Sequence, residues 1–186
     1  LGESHWFLRM LRDSSGAGHR LTQLLSGSRF VGDLFERIPE AVAWLESEAD
    51  LVPRTLEVLE EEGRSIAKRH AADPQAAALA VRTARRREIL RVDIASILGL
   101  LTVEELGHAL ADVMTSTVRT ALAIARATVS RESPKGMEFA VIGMGRFGGR
   151  ELGFGSDADV MYVYRAPEGK GEESQKAAER IVTELG

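Results

Sequence analysis

Seven of the chain's 18 glycines, at positions 136, 143, 145, 148, 149, 153 and 155, fall within twenty residues of a 186-residue sequence. Ordering glycine costs more backbone entropy than ordering any other residue, so such a segment cannot form the interior of a long helix or strand. It must be loop and tight turn, and it lies where the texture of the sequence changes. Residues before it carry helical periodicity, whereas Phe139-Ala140-Val141-Ile142 and Val160-Met161-Tyr162-Val163-Tyr164 on either side are short apolar runs of strand length.

In the helical part, Phe7, Leu8 and Leu11, then Leu21, Leu24 and Leu25, mark two pieces separated by Ser14-Ser15-Gly16, with Ser26-Gly27-Ser28 as the next break. Leu34, Phe35, Ile38, Val42 and Leu45 keep amphipathic spacing, bent or restarted at Pro39. Pro53 is expected to open a helix running to Arg69, and Pro74 one running to Leu98 with Gly99 as its cap. Thr102 and Glu105 have capping-box spacing, and Leu106, Leu110, Val113, Thr117, Ala121 and Ile124 mark one face of a helix reaching Val129. Ser133-Pro134-Lys135-Gly136 reads as a linker, and Glu173 to Leu185 as a further helix. The expected organisation is a helical domain over residues 1–132 and a second domain over 133–186. Trp6 and Trp44 are expected to pack on apolar helical faces.

Composition narrows the function classes. The chain has no cysteine, which excludes disulfides and thiolate chemistry and suits a cytoplasmic setting. A net charge of −4 and 5% aromatic residues give neither a basic footprint nor a stacking platform, so no nucleic-acid partner is expected. No apolar run reaches membrane-spanning length, and Leu1 onward is not a signal peptide. Opening on Leu1 rather than Met, the chain is expected to begin inside a longer polypeptide. His5, His19, His70 and His108 are isolated and show no metal-ligand spacing. Arg82, Arg85, Arg86, Arg87 and Arg91 line one long helix, where they read as a solvated or ion-paired face with Glu88 and Asp93, or else as a phosphate- or RNA-binding stripe.

Two readings compete for the glycine cluster. Gly143-Met144-Gly145-Arg146-Phe147-Gly148 after a strand matches a dinucleotide-binding fingerprint. That fold needs a crossover helix of about ten or more residues, yet only eight separate Gly148 from Asp157, two of them Gly153 and Gly155. The alternative rests on Ser156-Asp157-Ala158-Asp159. Carboxylates at i and i+2 of a strand start share a face, forming a hard oxygen site for Mg²⁺ of the kind used for in-line nucleotidyl transfer. Glycine amides and Arg146 would hold phosphates opposite.

The block Gly143-Met144-Gly145-Arg146-Phe147-Gly148-Gly149-Arg150-Glu151-Leu152, followed by Ser156-Asp157-Ala158-Asp159-Val160, resembles the signature of glutamine synthetase adenylyltransferases. Ser28-Arg29-Phe30-Val31-Gly32-Asp33-Leu34-Phe35 with Ile38-Pro39-Glu40 is similar to the segment opening each half of those bifunctional enzymes. Arg86-Arg87-Glu88-Ile89-Leu90-Arg91 with Asp93-Ile94 and Leu98-Gly99 resembles a later family helix. The resemblance implies a mainly α chain with a truncated α/β part: a helical bundle followed by the incomplete start of a DNA-polymerase-β-like nucleotidyltransferase domain. It implies that Asp157 and Asp159 are catalytic and hold Mg²⁺, and that Gly148, Gly149, Ser156 and Arg146 bind the nucleotide, ATP. Glu151 belongs to the motif and reads as a loop brace.

The partner so implied is glutamine synthetase, with a PII-type nitrogen regulatory protein as a second. Gly153-Phe154-Gly155-Ser156 and Met161-Tyr162-Val163-Tyr164 look more like the half that attaches AMP than the half that removes it. The superfamily places a third carboxylate on a later strand, whereas Glu168, Glu172, Glu173, Glu179 and Glu184 lie in a loop or a helical pattern. The chain alone is therefore expected not to catalyse the transfer. Two other readings stay open: a related nucleotidyltransferase acting on RNA or a small molecule, and a non-catalytic helical interaction module.

Overall fold

A computed structural model of the chain describes Arg9, Arg12 and residues 15–185. The expectations for His5, Trp6, Phe7, Leu8, Leu11 and Ser14 lie outside the described residues. Among the described residues the fold is mainly helical with one small antiparallel sheet. Helix α1 (Ser15–Gly27) contains Gly16, so that glycine lies within a first turn rather than a break. Ser28 ends it and caps α2 (Arg29–Arg37), its hydroxyl accepting from the Val31 amide at 3.3 Å.

Pro39 restarts the chain as expected, but as two 3₁₀ segments, Pro39–Glu46 and Glu48–Leu51, not as an α-helix. Helix α3 (Leu56–Arg69) begins after Thr55, so Pro53 stands ahead of the helix rather than in its first turn. Helix α4 (Pro74–Ile97) follows the sequence closely: Asp73 accepts from the Ala76 amide at 3.0 Å, Pro74 takes the first turn, and Gly99 adopts φ +72° after the last. Helix α5 (Val103–Val129) starts from the Thr102–Glu105 capping box. No helix among the described residues is long and apolar enough to cross a membrane.

Strands β1 (Glu138–Gly143) and β2 (Val160–Arg165) pair antiparallel, with Gly143 opposite Val160 and Glu138 opposite Arg165. Antiparallel pairing with a one-turn helix, α6 (Gly145–Gly148), between the strands excludes the parallel crossover unit of a dinucleotide fold. Helix α7 (Gly171–Leu185) closes the described chain.

Three apolar clusters hold these elements. The first joins α1, α2, the 3₁₀ segments and α4 through Leu24, Phe35, Leu45, Leu51, Leu90 and Ile94, with Trp44 against its edge. The second joins the end of α5 to β1 and α7 through Val129, Phe139, Ala178 and Ile181. The third joins α4 and the start of α5 to the glycine-rich loop through Val92, Leu110 and Leu152. Helix α5 thus contributes one end to each of the last two clusters. Between α3 and α5, Gly63 admits Thr120 so closely that an added Cβ would lie 2.0 Å from its hydroxyl oxygen.

Two stability measurements follow from this packing. Gly63→Ala would gain about 1 kcal/mol on an exposed helix; here it is expected to cost about 1–3 kcal/mol by overpacking, and Thr120→Ala in the same chain to recover part of the loss on denaturant unfolding. Buried Asp93 has no hydrogen bond or ion pair among the described residues, and desolvation pushes its carboxyl from 3.8 up to about 6. A raised carboxylate pKa makes its contribution most favourable below about pH 4, and that contribution is lost as pH rises through about 6. Asp93→Asn is therefore expected to stabilise the fold by up to about 3 kcal/mol at pH 7–8, the gain shrinking towards zero near pH 4.

Candidate functional site

The register of the hairpin builds the site. With Gly143 opposite Val160, the chain leaving β1 passes beside the residues entering β2, and the Met144 amide donates to the Asp159 carbonyl at 2.8 Å. Gly145 then turns into the left-handed region, φ +51°. A Cβ at Gly145 would lie 3.1 Å from Asp159 Oδ2, so a residue without a side chain is needed both for the turn and for the carboxylate's position. Gly148 and Gly149 complete the one-turn helix, their amides donating to the Met144 and Gly145 carbonyls at 2.8 and 2.9 Å.

Asp157 and Asp159 are both exposed, and their carboxylates make no hydrogen bond or ion pair among the described residues. They stand just ahead of the β-ladder, which starts at Val160. The Met144 contact holds the Asp159 backbone beside the end of β1. Two free carboxylates are hard oxygen donors and fit part of a Mg²⁺ shell, with water and phosphate oxygens supplying the remainder. Among the described residues no group of three or more His, Asp or Glu side chains gathers as a metal cage.

The other candidates split into loop-forming and free groups. Arg146 directs Nε to the Glu151 carbonyl at 2.9 Å while the Glu151 amide donates to the Arg146 carbonyl at 2.8 Å. Bracing therefore occupies one edge of the guanidinium, and it is the Glu151 backbone, not its carboxylate, that takes part. Ser156 accepts from the Gly153 amide at 3.0 Å and its own amide donates to the Gly153 carbonyl at 3.1 Å, closing a turn with Gly155 at φ +73°.

The loop is seated on the helices by residues that motif reading passed over. Leu152 is buried in the third cluster. Gly107 lets the loop backbone touch α5: a Cβ there would meet the Arg150 carbonyl oxygen at 3.1 Å. Arg150 has φ +59°, and its Nη1 lies 2.9 Å from the buried Asp112 Oδ1, near enough for charge attraction but without hydrogen-bond alignment. A glycine within a helical pattern was the available signal for Gly107, since it marks a close approach.

The arginine run also divides. Glu88 is buried and receives Arg87 Nε at 3.0 Å and Arg91 Nε at 3.1 Å, while Arg87 Nη2 reaches Glu62 at 2.6 Å. Arg91 also lies over the Trp44 ring, 4.1 Å from its centroid, and donates to the Asp50 carbonyl. Arg85 has no such partner among the described residues.

Comparison with known proteins bears on this geometry. A family model described as glutamate-ammonia ligase adenylyltransferase matches residues 18–186. Bifunctional glutamine synthetase adenylyltransferase/adenylyl-removing enzymes are similar along the whole chain: that of Leifsonia xyli subsp. xyli is 54% identical over 185 residues, and that of Cutibacterium acnes 38% over 186. The corresponding Streptomyces coelicolor protein is 40% identical over 202 residues. The chain spans 18% of the length of the first two and 20% of the third. With a family match over most of its length, the chain belongs to the glutamate-ammonia ligase adenylyltransferase family.

Proposed function

We propose that this chain contributes a helical module, residues 1–132, and the first part of a polymerase-β-like nucleotidyltransferase domain, residues 133–186, to a longer enzyme that transfers AMP from ATP to a tyrosine of glutamine synthetase. The observation that carries this reading is the Asp159 carboxylate set against Gly145, with Asp157 two residues away and both carboxylates free of protein partners. Family membership supports glutamine synthetase as the target and an adenylyl group as what is transferred, because the relatives are named for both. The polymerase-β-like assignment is supported by the strand, glycine turn and Ser156-Asp157-Ala158-Asp159 order along the hairpin.

In this reading Asp157 and Asp159 bind Mg²⁺, which when present lowers the pKa of the attacking hydroxyl and neutralises charge developing at the α-phosphate. Gly148 and Gly149, whose amides are taken up within the turn, let the nucleotide approach the loop backbone, and the Ser156 hydroxyl orients phosphate oxygens. Arg146 holds the loop through its Nε and offers its remaining donors to the nucleotide. Glycine-loop and β2 sequences favour the AMP-attaching direction over removal. The remaining carboxylate and the regulatory contacts, including any with a PII-type protein, belong to the longer protein, and the isolated chain is proposed to be inactive. The RNA reading loses two of the five arginines that suggested it, because Arg87 and Arg91 are taken up by carboxylates.

The test is incorporation of labelled AMP into glutamine synthetase by the full protein that carries this chain, with phosphorolytic removal measured in parallel. Asp157→Asn/Asp159→Asn is expected to lower incorporation by at least about 100-fold and to leave removal largely intact. Incorporation at the unmutated rate would sink this assignment.

A further inference from the structure

Within the arginine run of α4, Arg82, Arg85 and Arg86 have no ion pair among the described residues, and of these three only Arg85 is half-buried. Arg87 and Arg91 both reach Glu88, and Arg87 also reaches Glu62. Arg85 is half-buried on the same helix and has no hydrogen bond or ion pair among the described residues. Burial, and next the like charge of Arg86, hold its pKa below the ordinary arginine range. A cation removed from water without a counter-ion is costly, and removing the charge, not only its partner, can relieve that cost.

The surroundings of Arg85 show what would compensate it. It borders a small cavity of about 30 Å³ that Glu62 and Glu88 also line, without pairing to either, and it lines a larger pocket of about 240 Å³ between α4, α5 and the turn that carries Ser156, whose walls include Ile89, Met114, Leu152 and Phe154. Among the described residues no carboxylate lines this pocket. The two polar side chains there are both donors to a ligand. The Arg85 guanidinium has no lone pair to offer, and the Ser156 hydroxyl already accepts the Gly153 amide and keeps its own proton available. Apolar walls lower the local dielectric and strengthen attraction between a guanidinium and an anion. A planar donor fork beside a hydroxyl matches the oxygens of a phosphate group.

We propose that Arg85, together with Ser156, forms an oxyanion subsite in which the helical module of this chain binds a phosphate group. The subsite adjoins Asp157 along the chain, so the phosphate group is assigned to the nucleotide's phosphate chain; that part of the inference rests on the nucleotidyl-transfer reading, whereas the oxyanion site itself does not. Arg85 thereby becomes a nucleotide-binding residue supplied from outside the glycine-rich motif.

The experiment is calorimetric titration of the full protein carrying this chain with sodium tripolyphosphate and with orthophosphate, both without metal, and with ATP with and without Mg²⁺. Unmodified protein is expected to bind tripolyphosphate without metal. Arg85→Ala is expected to weaken that binding and ATP binding at least tenfold, Arg85→Lys to recover part of it, and Ser156→Ala to weaken it less. The thermal unfolding midpoint of Arg85→Ala should equal or exceed that of the unmodified protein, an outcome opposite to that of a structural arginine. Unchanged tripolyphosphate affinity in Arg85→Ala, or no tripolyphosphate binding by the unmodified protein, overturns the subsite. Tighter binding of orthophosphate than of tripolyphosphate or ATP overturns its assignment to the nucleotide. Asp157→Asn/Asp159→Asn separates the two readings: it should remove the Mg²⁺-dependent gain in ATP affinity and leave metal-free tripolyphosphate binding intact. If Mg²⁺ adds nothing while Arg85 still governs tripolyphosphate binding, the subsite stands and the nucleotidyl-transfer reading falls.

Discussion

The helical part is organised around a carboxylate that has been taken out of water. Glu88 lies on α4 with Arg87 and Arg91 on its oxygens and Arg54 at 3.6 Å. Through Arg87 it is joined to Glu62 of α3, and through Arg91 to Trp44 and the Asp50 carbonyl of the 3₁₀ segments. A buried ion pair of this kind adds little net stability over an apolar substitute, but losing one partner costs about 3–5 kcal/mol because the other charge stays buried. The network therefore acts mainly as a registry device. It fixes the rotation of α4 about its axis, and with it the place of Arg85 between the cavity it shares with Glu62 and Glu88 and the pocket it shares with Ser156.

From α4 the constraint passes to α5 and then to the loop. The third apolar cluster packs Val92 of α4 against Leu110 of α5 and Leu152 of the loop. Gly107 removes the side chain that would hold the Arg150 backbone off the helix. Farther along, α5 packs against β1 and α7 at Val129 and Phe139. One rigid helix thus supports both the hairpin and the glycine turn inserted within it, which is how exposed residues such as Asp157 and Asp159 come to have a defined setting.

Much of this was legible because it depends on local chemistry. Asp73-Pro74 and Thr102 with Glu105 announce helix starts through backbone amides that need acceptors, and the two strand-length apolar runs pair as strands. Reading failed where tertiary contacts decide. The spacing of Val42 and Leu45 suits an α-helix, but the segment folds as 3₁₀ against α1 and α4. Pro53 is compatible with a first turn, yet the helix waits for Thr55. Five arginines in one run look equivalent in sequence; only the positions of Glu62 and Glu88 in space separate the paired from the unpaired.

Arg150 shows how two demands can meet at one residue and not be reconcilable. Its backbone sits at φ +59°, where glycine would rest without strain, while its guanidinium faces the buried Asp112 oxygen. Glycine would relax the main chain and strip Asp112 of its counter-charge; any long cation keeps the charge and the strain. No natural amino acid satisfies both, so the seat of the loop on α5 is a compromise held in tension, with opposite edits of one side chain pulling it in opposite directions.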